Sequence, residues 1–203
     1  MKAFVVEKVG EDEFKSSIQD VETPKCEKNE VVIKVTYSSL NYKDALSSVG
    51  NPGVSKHFPH ITGIDVAGTV FESTSPIFKV GERVLVTGYD MGMNSNGGHA
   101  QYVKIPASWV ARIPDAISDR EIMTFGTAGL TAALSVNELI ENGIKPESGD
   151  ILVTGATGGV GSIAIAILNK LGYNITAIYG KKERIDFLKK IGDKQIDIVC
   201  GGP

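Results

Sequence analysis

The chain has 203 residues, 42% of them hydrophobic and 22% charged, with a mean hydropathy of +0.01. At about 150 residues per domain this length allows one large or two small domains, and the composition supports a buried core while excluding a fibre or a disordered tail. The net charge of −3 offers no basic face for nucleic acid, and the longest apolar run, 163–168, falls far short of the ~20 residues that span a bilayer.

At the N-terminus, Ala3 to Val6 precede Glu7 and are too few for the hydrophobic region of a secretory signal, so a cytoplasmic address is expected. Segments 3–7, 31–37, 65–72, 83–87 and 100–105 are short, rich in Val, Ile and Tyr, and bounded by Gly, Pro, Asn or Asp. They read as strands at the spacing of a barrel or sandwich. Cys26 and Cys200 lie far apart and form no CxxC pair. Lys43 and Asp44 read as neighbours on a surface turn, where such a pair contributes little.

The texture changes at 110–120, where Ile113-Pro114-Asp115 opens a join between a β-rich domain, 1–117, and an α/β domain, 118–203. Ser118 followed by Glu121 is a capping box that starts helical structure. A helical stretch over 131–141 stops at Asn142-Gly143. Beyond Pro146 the order is strand 151–154, glycine turn, helix 159–171, strand 175–179, helix 182–191 and strand 196–200, a βαβαβ alternation. Lys181, Lys182, Arg184, Lys189, Lys190 and Lys194 cluster there, either as a solvated helix face or as an anion site.

The strongest chemical signal is Thr154-Gly155-Ala156-Thr157-Gly158-Gly159-Val160-Gly161. It closes a hydrophobic strand and opens an apolar helix, so main-chain N–H groups and the helix dipole can face a pyrophosphate. Ala156 stands where the dinucleotide fingerprint has its first glycine, with Gly155 beside it to make the turn. Gly158 allows close approach of the ligand, and Gly161 lets the helix pack on the strand. The second strand ends in Tyr179-Gly180-Lys181-Lys182 with no carboxylate to accept from a ribose 2′-hydroxyl, which favours NADP(H) over NAD. Glu183 is the rival ligand, in a position where an acid also serves the helix dipole.

Six runs occur in order: 38–45 (SSLNYKDA), 63–70 (GIDVAGTV), 80–84 (VGERV), 97–103 (GGHAQYV), 125–132 (FGTAGLTA) and 154–161. Together they resemble the medium-chain dehydrogenase/reductase superfamily, and within it the zinc-free quinone oxidoreductase branch and its acryloyl-CoA reductase-like subgroup. The resemblance covers Met1 to about Gly192. It implies an α/β protein with a β-rich part: a GroES-like, partly open barrel followed by a Rossmann domain, with substrate and nicotinamide in the cleft between them. Zinc-dependent members place Cys near Asn41 and His-Glu at Ile64-Asp65, so those ligands are missing here. The pair His57 and His60 lacks the further ligands that zinc requires.

By the same resemblance, Asn41 and Tyr42 lie by the nicotinamide ribose and ring, and Thr127 approaches the nicotinamide or substrate. Thr157, Gly158, Gly159 and Val160 hold the pyrophosphate with Gly161 behind them, and Tyr179, Gly180 and Lys181 hold the adenosine phosphate. Tyr42 also has a reading as a packing residue at the domain junction, and Asp65 reads as buried and structural rather than as a general base. The implied activity is metal-free hydride transfer from NADPH to a quinone, an enone or an acryloyl-type acyl-CoA, with a homodimer as the family assembly. The sequence supplies three of the six Rossmann strands, which points to a shortened form of a full reductase. The alternatives are a nucleotide-binding module without turnover, or an interaction protein that pairs through its half-sheet.

Overall fold

Alternation of branched apolar residues with polar ones builds strands that bury one face. In the computed structural model, which describes residues 1–180, 182–192 and 196–200, β1 (Lys2–Lys8) lies between β2 (Phe14–Asp20) and β4 (His60–Ile61), antiparallel to both. A second, five-stranded antiparallel sheet runs β7-β3-β5-β6-β8, with β3 Glu30–Tyr37, β5 Asp65–Ser73, β6 Arg83–Thr87, β7 Tyr102–Pro106 and β8 Ala111–Arg112. Val31, Ile33, Val66, Val70, Val84, Val86, Val103 and Ile105 share one apolar core. Irregular register in β3 at Val32/Ile33 and Val35/Tyr37 bends that strand. A short helix, α1 (Tyr42–Ser48), sits between β3 and β4.

The helix α2 (Asp119–Glu141) starts with the expected capping box: the Glu121 carboxylate accepts from Ser118 N at 2.9 Å, and Glu121 N donates to Ser118 Oγ at 3.2 Å. Arg83 anchors this helix start by donating to Asp119 Oδ1 at 2.8 Å and to the Ile117 carbonyl at 2.6 Å. Gly126 interrupts α2 with φ 50° and ψ −150°. The chain divides into two compact units, Met1–Thr127 and Ala128 onward, a division that falls beyond the 117/118 change in sequence texture. The opening turns of α2 belong to the β-rich unit because Met123 and Ile122 pack with Ala67 and Ile113.

In the second unit β9 (Ile151–Val153), β10 (Ile175–Tyr179) and β11 (Ile196–Cys200) form a parallel sheet of order β11-β10-β9. They are linked by α3 (Gly159–Lys170) and by α4 (Ile185–Gly192), which follows a 3-10 turn at Lys182–Arg184. Val136, Val153, Ile165, Leu168, Ile175, Ala177 and Leu188 make its core. This is the expected βαβαβ order.

Candidate functional site

A carboxylate in an apolar strand must find donors or lose its charge. Asp65 opens β5 and is fully buried, and it finds four hydrogen bonds. Ser39 Oγ donates to Oδ2 at 2.5 Å, Asn41 Nδ2 to Oδ2 at 2.8 Å, Thr127 N to Oδ2 at 2.9 Å and Thr127 Oγ1 to Oδ1 at 2.6 Å. Asp65 therefore ties the loop before α1 to the broken segment of α2. The break at Gly126 follows from the same carboxylate: a Cβ there would lie 2.5 Å from Asp65 Oδ2 and 3.0 Å from Ser39 Oγ, and a φ of 50° strains any other residue.

Of the three sequence-predicted catalytic residues, Asn41 and Thr127 meet at this carboxylate. Tyr42, the first residue of α1, is 79% exposed, and no hydrogen bond links it to the Asp65 cluster among the described residues. Asp44 departs from the surface-pair expectation. It is buried, and its carboxylate accepts from Asn41 N at 2.7 Å and Ile64 N at 3.0 Å. The unpaired amides of the α1 start and of Ile64 draw it inward, and in doing so it fixes the backbone that carries Asn41.

A cavity of about 450 Å³ adjoins this cluster, with Phe4, Leu40 and Ala45 as apolar wall and Asn41, Thr62 and His99 as polar lining. His99, which site reasoning from the sequence passed over, donates or accepts at Thr62 Oγ1 (2.8 Å from Nδ1) and lies 3.4 Å through Nε2 from the Ser39 carbonyl. Its motif, Gly97-Gly98-His99, was the available signal: the loop runs so close to Gly63 that a Cβ there would meet His99 N at 2.6 Å.

His60 is engaged elsewhere, buried with Nε2 2.7 Å from Ser47 Oγ. Burial holds its pKa below the usual histidine value, while a backbone contact with His57 works the other way. Among the described residues no group of three or more His, Cys, Asp or Glu side chains could hold a metal ion.

In the α/β unit, β9 ends at Val153 opposite Ala177, β10 continues to Tyr179, and the glycine turn follows β9 directly. The positive φ of this turn, 58°, is at Gly155. Ala156 points into the core, fully buried, so alanine is tolerated where the fingerprint has glycine. Gly158 caps α3 in an extended conformation, and its amide donates to the Gly155 carbonyl at 2.9 Å. A Cβ at Gly161 would stand 2.4 Å from that same carbonyl, so the close packing expected of Gly161 is observed. The first amides of α3, at Gly159, Val160 and Gly161, have no partner within the helix, and the first turn holds no acidic residue. These features fit a pyrophosphate. The apolar groove of about 580 Å³ against the turn, walled by Val136, Leu139, Ile151 and Leu168, does not; it borders the β9 edge that carries no partner strand among the described residues. Tyr179 ends β10 with Gly180 after it, whereas Lys181 lies outside the described residues.

Residues 27–115 match the alcohol dehydrogenase GroES-like domain. The putative quinone oxidoreductase YhfP of Bacillus subtilis is 43% identical over 185 residues, 91% of this chain and 56% of that protein; its structure with NAD bound superposes with a TM-score of 0.91 at 42% identity, covering 98% of this chain and 60% of that one. The probable acrylyl-CoA reductase AcuI of Escherichia coli is 41% identical over 181 residues, 89% of this chain and 56% of that protein. The yhdH oxidoreductase of Salmonella enterica in complex with NADP superposes with a TM-score of 0.92 at 41% identity, covering 98% of this chain and 61% of that one. The chain thus spans little more than half the length of these curated relatives.

Proposed function

We propose that the chain, which is similar to medium-chain dehydrogenase/reductase proteins, belongs to that superfamily and to a zinc-independent, NADPH-dependent reductase of quinones or activated C=C bonds of the enone and acryloyl-CoA type. The observation that carries this reading is the start of α3, where glycines expose main-chain amides and the first helical turn carries no acidic side chain. Thr157, Gly158, Gly159 and Val160 bind the pyrophosphate there. Tyr179, Gly180 and Lys181 take the adenosine end, where the absence of a strand-terminal acid selects the 2′-phosphate.

The dinucleotide supplies a hydride when bound. The chain's own residues position it: Asn41 and Thr127, locked by Asp65, orient the nicotinamide side of the cofactor and the substrate, with Tyr42 beside them. Asn41 and Ile64 where zinc-dependent members have cysteine and histidine leave carbonyl activation to hydrogen bonds rather than to a metal. The same reading carries a cytoplasmic homodimer, and no helix among the described residues is long and apolar enough to cross a membrane.

The test is NADPH oxidation by the full-length gene product with acryloyl-CoA or a quinone, with and without a chelator. Turnover that survives the chelator is expected, and no turnover with any such acceptor overturns the reading. Binding of NADPH without turnover would instead favour a silent nucleotide-binding module. Lys181→Glu is expected to lower NADPH affinity relative to NADH; an unchanged ratio refutes the choice of cofactor.

A further inference from the structure

We propose that His99 is the proton donor of the reduction and protonates the substrate oxygen or α-carbon once hydride has reached the electrophilic carbon. The inference rests on the reductase reading above and on the geometry of one cavity.

Delivery of hydride to a quinone or enone leaves an oxygen anion on the substrate, and that anion needs a proton. The cavity of about 450 Å³ beside Asn41 is where such a substrate would meet the Asp65 cluster. Its lining contains two titratable side chains, Asp44 and His99. Both oxygens of Asp44 are occupied by main-chain amides. Histidine is the side chain whose ordinary titration falls near neutrality and which can give up a proton there.

The two ring nitrogens of His99 are held differently. Nδ1 is pinned at 2.8 Å to Thr62 Oγ1, a buried hydroxyl. A hydroxyl rotates to donate to a neutral Nδ1 or to accept from a protonated one, so the ring can change charge without moving. Nε2 is only loosely held, 3.4 Å from the Ser39 carbonyl, a separation at which a hydrogen bond contributes little. Its N–H, without a strong partner at that distance, is the one available to a ligand that comes within reach. Phe4 packs edge-on against the ring, centroids 6.5 Å apart, and limits its tilt.

The step balances. The nicotinamide dinucleotide is oxidised by loss of hydride, and the acceptor is reduced by two electrons. The Nε2–H bond breaks as the O–H or C–H bond forms on the substrate anion, leaving a neutral imidazole with its proton on Nδ1 toward Thr62. Solvent entering the open cavity restores the proton. The charged groups around the ring are Asp44 from α1 and Asp65 from β5, the latter through Ser39, with Lys2 from β1 in the crevice on the other side. Two fixed carboxylates favour a neutral carbonyl acceptor over a free carboxylate in this cavity.

Two measurements test the proposal. In the full-length enzyme, His99→Gln is expected to lower kcat about 100-fold or more, to abolish the decline of kcat with rising pH, and to leave NADPH affinity unchanged. Independently of turnover, the chain has three histidines, whose ¹⁵N imidazole resonances can be assigned with the variants His57→Gln, His60→Gln and His99→Gln. Saturating 4-nitrophenol, a mimic of the oxygen anion, is expected to shift the Nε2 resonance of His99. Full activity with an unchanged pH profile in His99→Gln, or a His99 resonance unmoved by the phenol, overturns the proton-donor role. Failure of the wild-type enzyme to oxidise NADPH with any acceptor overturns the reductase reading instead, a distinct result.

Discussion

Replacing Asp65 tests whether one carboxylate organises the site. Oδ2 takes three hydrogen bonds and Oδ1 one, from Ser39, Asn41 and both the amide and the hydroxyl of Thr127. In Asp65→Ala the hydroxyls of Ser39 and Thr127 can turn to new acceptors, and Asn41, half-buried at the cavity, can find water. The Thr127 amide and the lost charge-assisted bonds cannot be replaced. At about 1–3 kcal/mol per orphaned buried donor and about 1.5–3 kcal/mol per bond to a charged group, not additive, the loss is about 3–5 kcal/mol. For a chain of this size that lowers Tm by on the order of 10 °C. Asp65→Asn keeps an acceptor at the Oδ2 position and presents an amide to the Thr127 hydroxyl, which can accept, so its cost is about 1–2 kcal/mol. Urea or thermal unfolding followed by circular dichroism measures both. An Asp65→Ala protein within 1 kcal/mol of wild type would mean that the bonds merely offset the desolvation of the charge, and the organising role would be refuted.

Gly126→Ala places a Cβ 2.5 Å from Asp65 Oδ2 at a φ of 50°, and should cost about 2–4 kcal/mol by strain and displacement of the carboxylate; a melt unchanged from wild type would show that the segment relaxes freely. His60 gives a pH prediction. Burial depresses its folded-state pKa below the reference value of 6.5, so the unfolded chain binds the extra proton first. Stability is full above pH 6.5 and falls as the pH drops below it toward the folded value. His60→Gln should flatten that part of the stability curve, and an unaltered slope between pH 6.5 and 5 would assign it to other groups.

The parts of the fold legible in the sequence are those whose signal is local. The 83–87, 175–179 and 196–200 strands carry branched residues between turn formers and are observed with those bounds. The Ser118 capping box fixes its own helix start. By contrast, Phe14–Asp20 forms β2 with every residue half-buried or exposed and Ile18 72% exposed, so it lacks the apolar alternation that marks a strand. Tyr42–Ser48 is two turns long, too short for a helical period to emerge. Its true signal is Asp44, which the sequence presents as a surface charge and the fold turns inward to cap Asn41 and Ile64.

The site divides in the same way. The glycine turn is legible because its chemistry lies within eight consecutive residues, and the departure at Ala156 is resolved by a neighbour, Gly155, which alone needs the left-handed backbone. The Asp65 cluster is legible only as a lone acid between Ile64 and Val66, a buried charge that demands partners without naming them. Those partners come from Ser39 and Asn41 after β3 and from Thr127 in α2, 62 residues from the carboxylate, and only strand pairing brings them together. His99 is one step further removed. Its placement depends on the Gly97-Gly98 loop packing against Gly63, a backbone contact that leaves glycine as the only trace in the sequence. Features built from main-chain amides are therefore readable from spacing, whereas side chains gathered by a shared carboxylate become readable only when the sheet register is known.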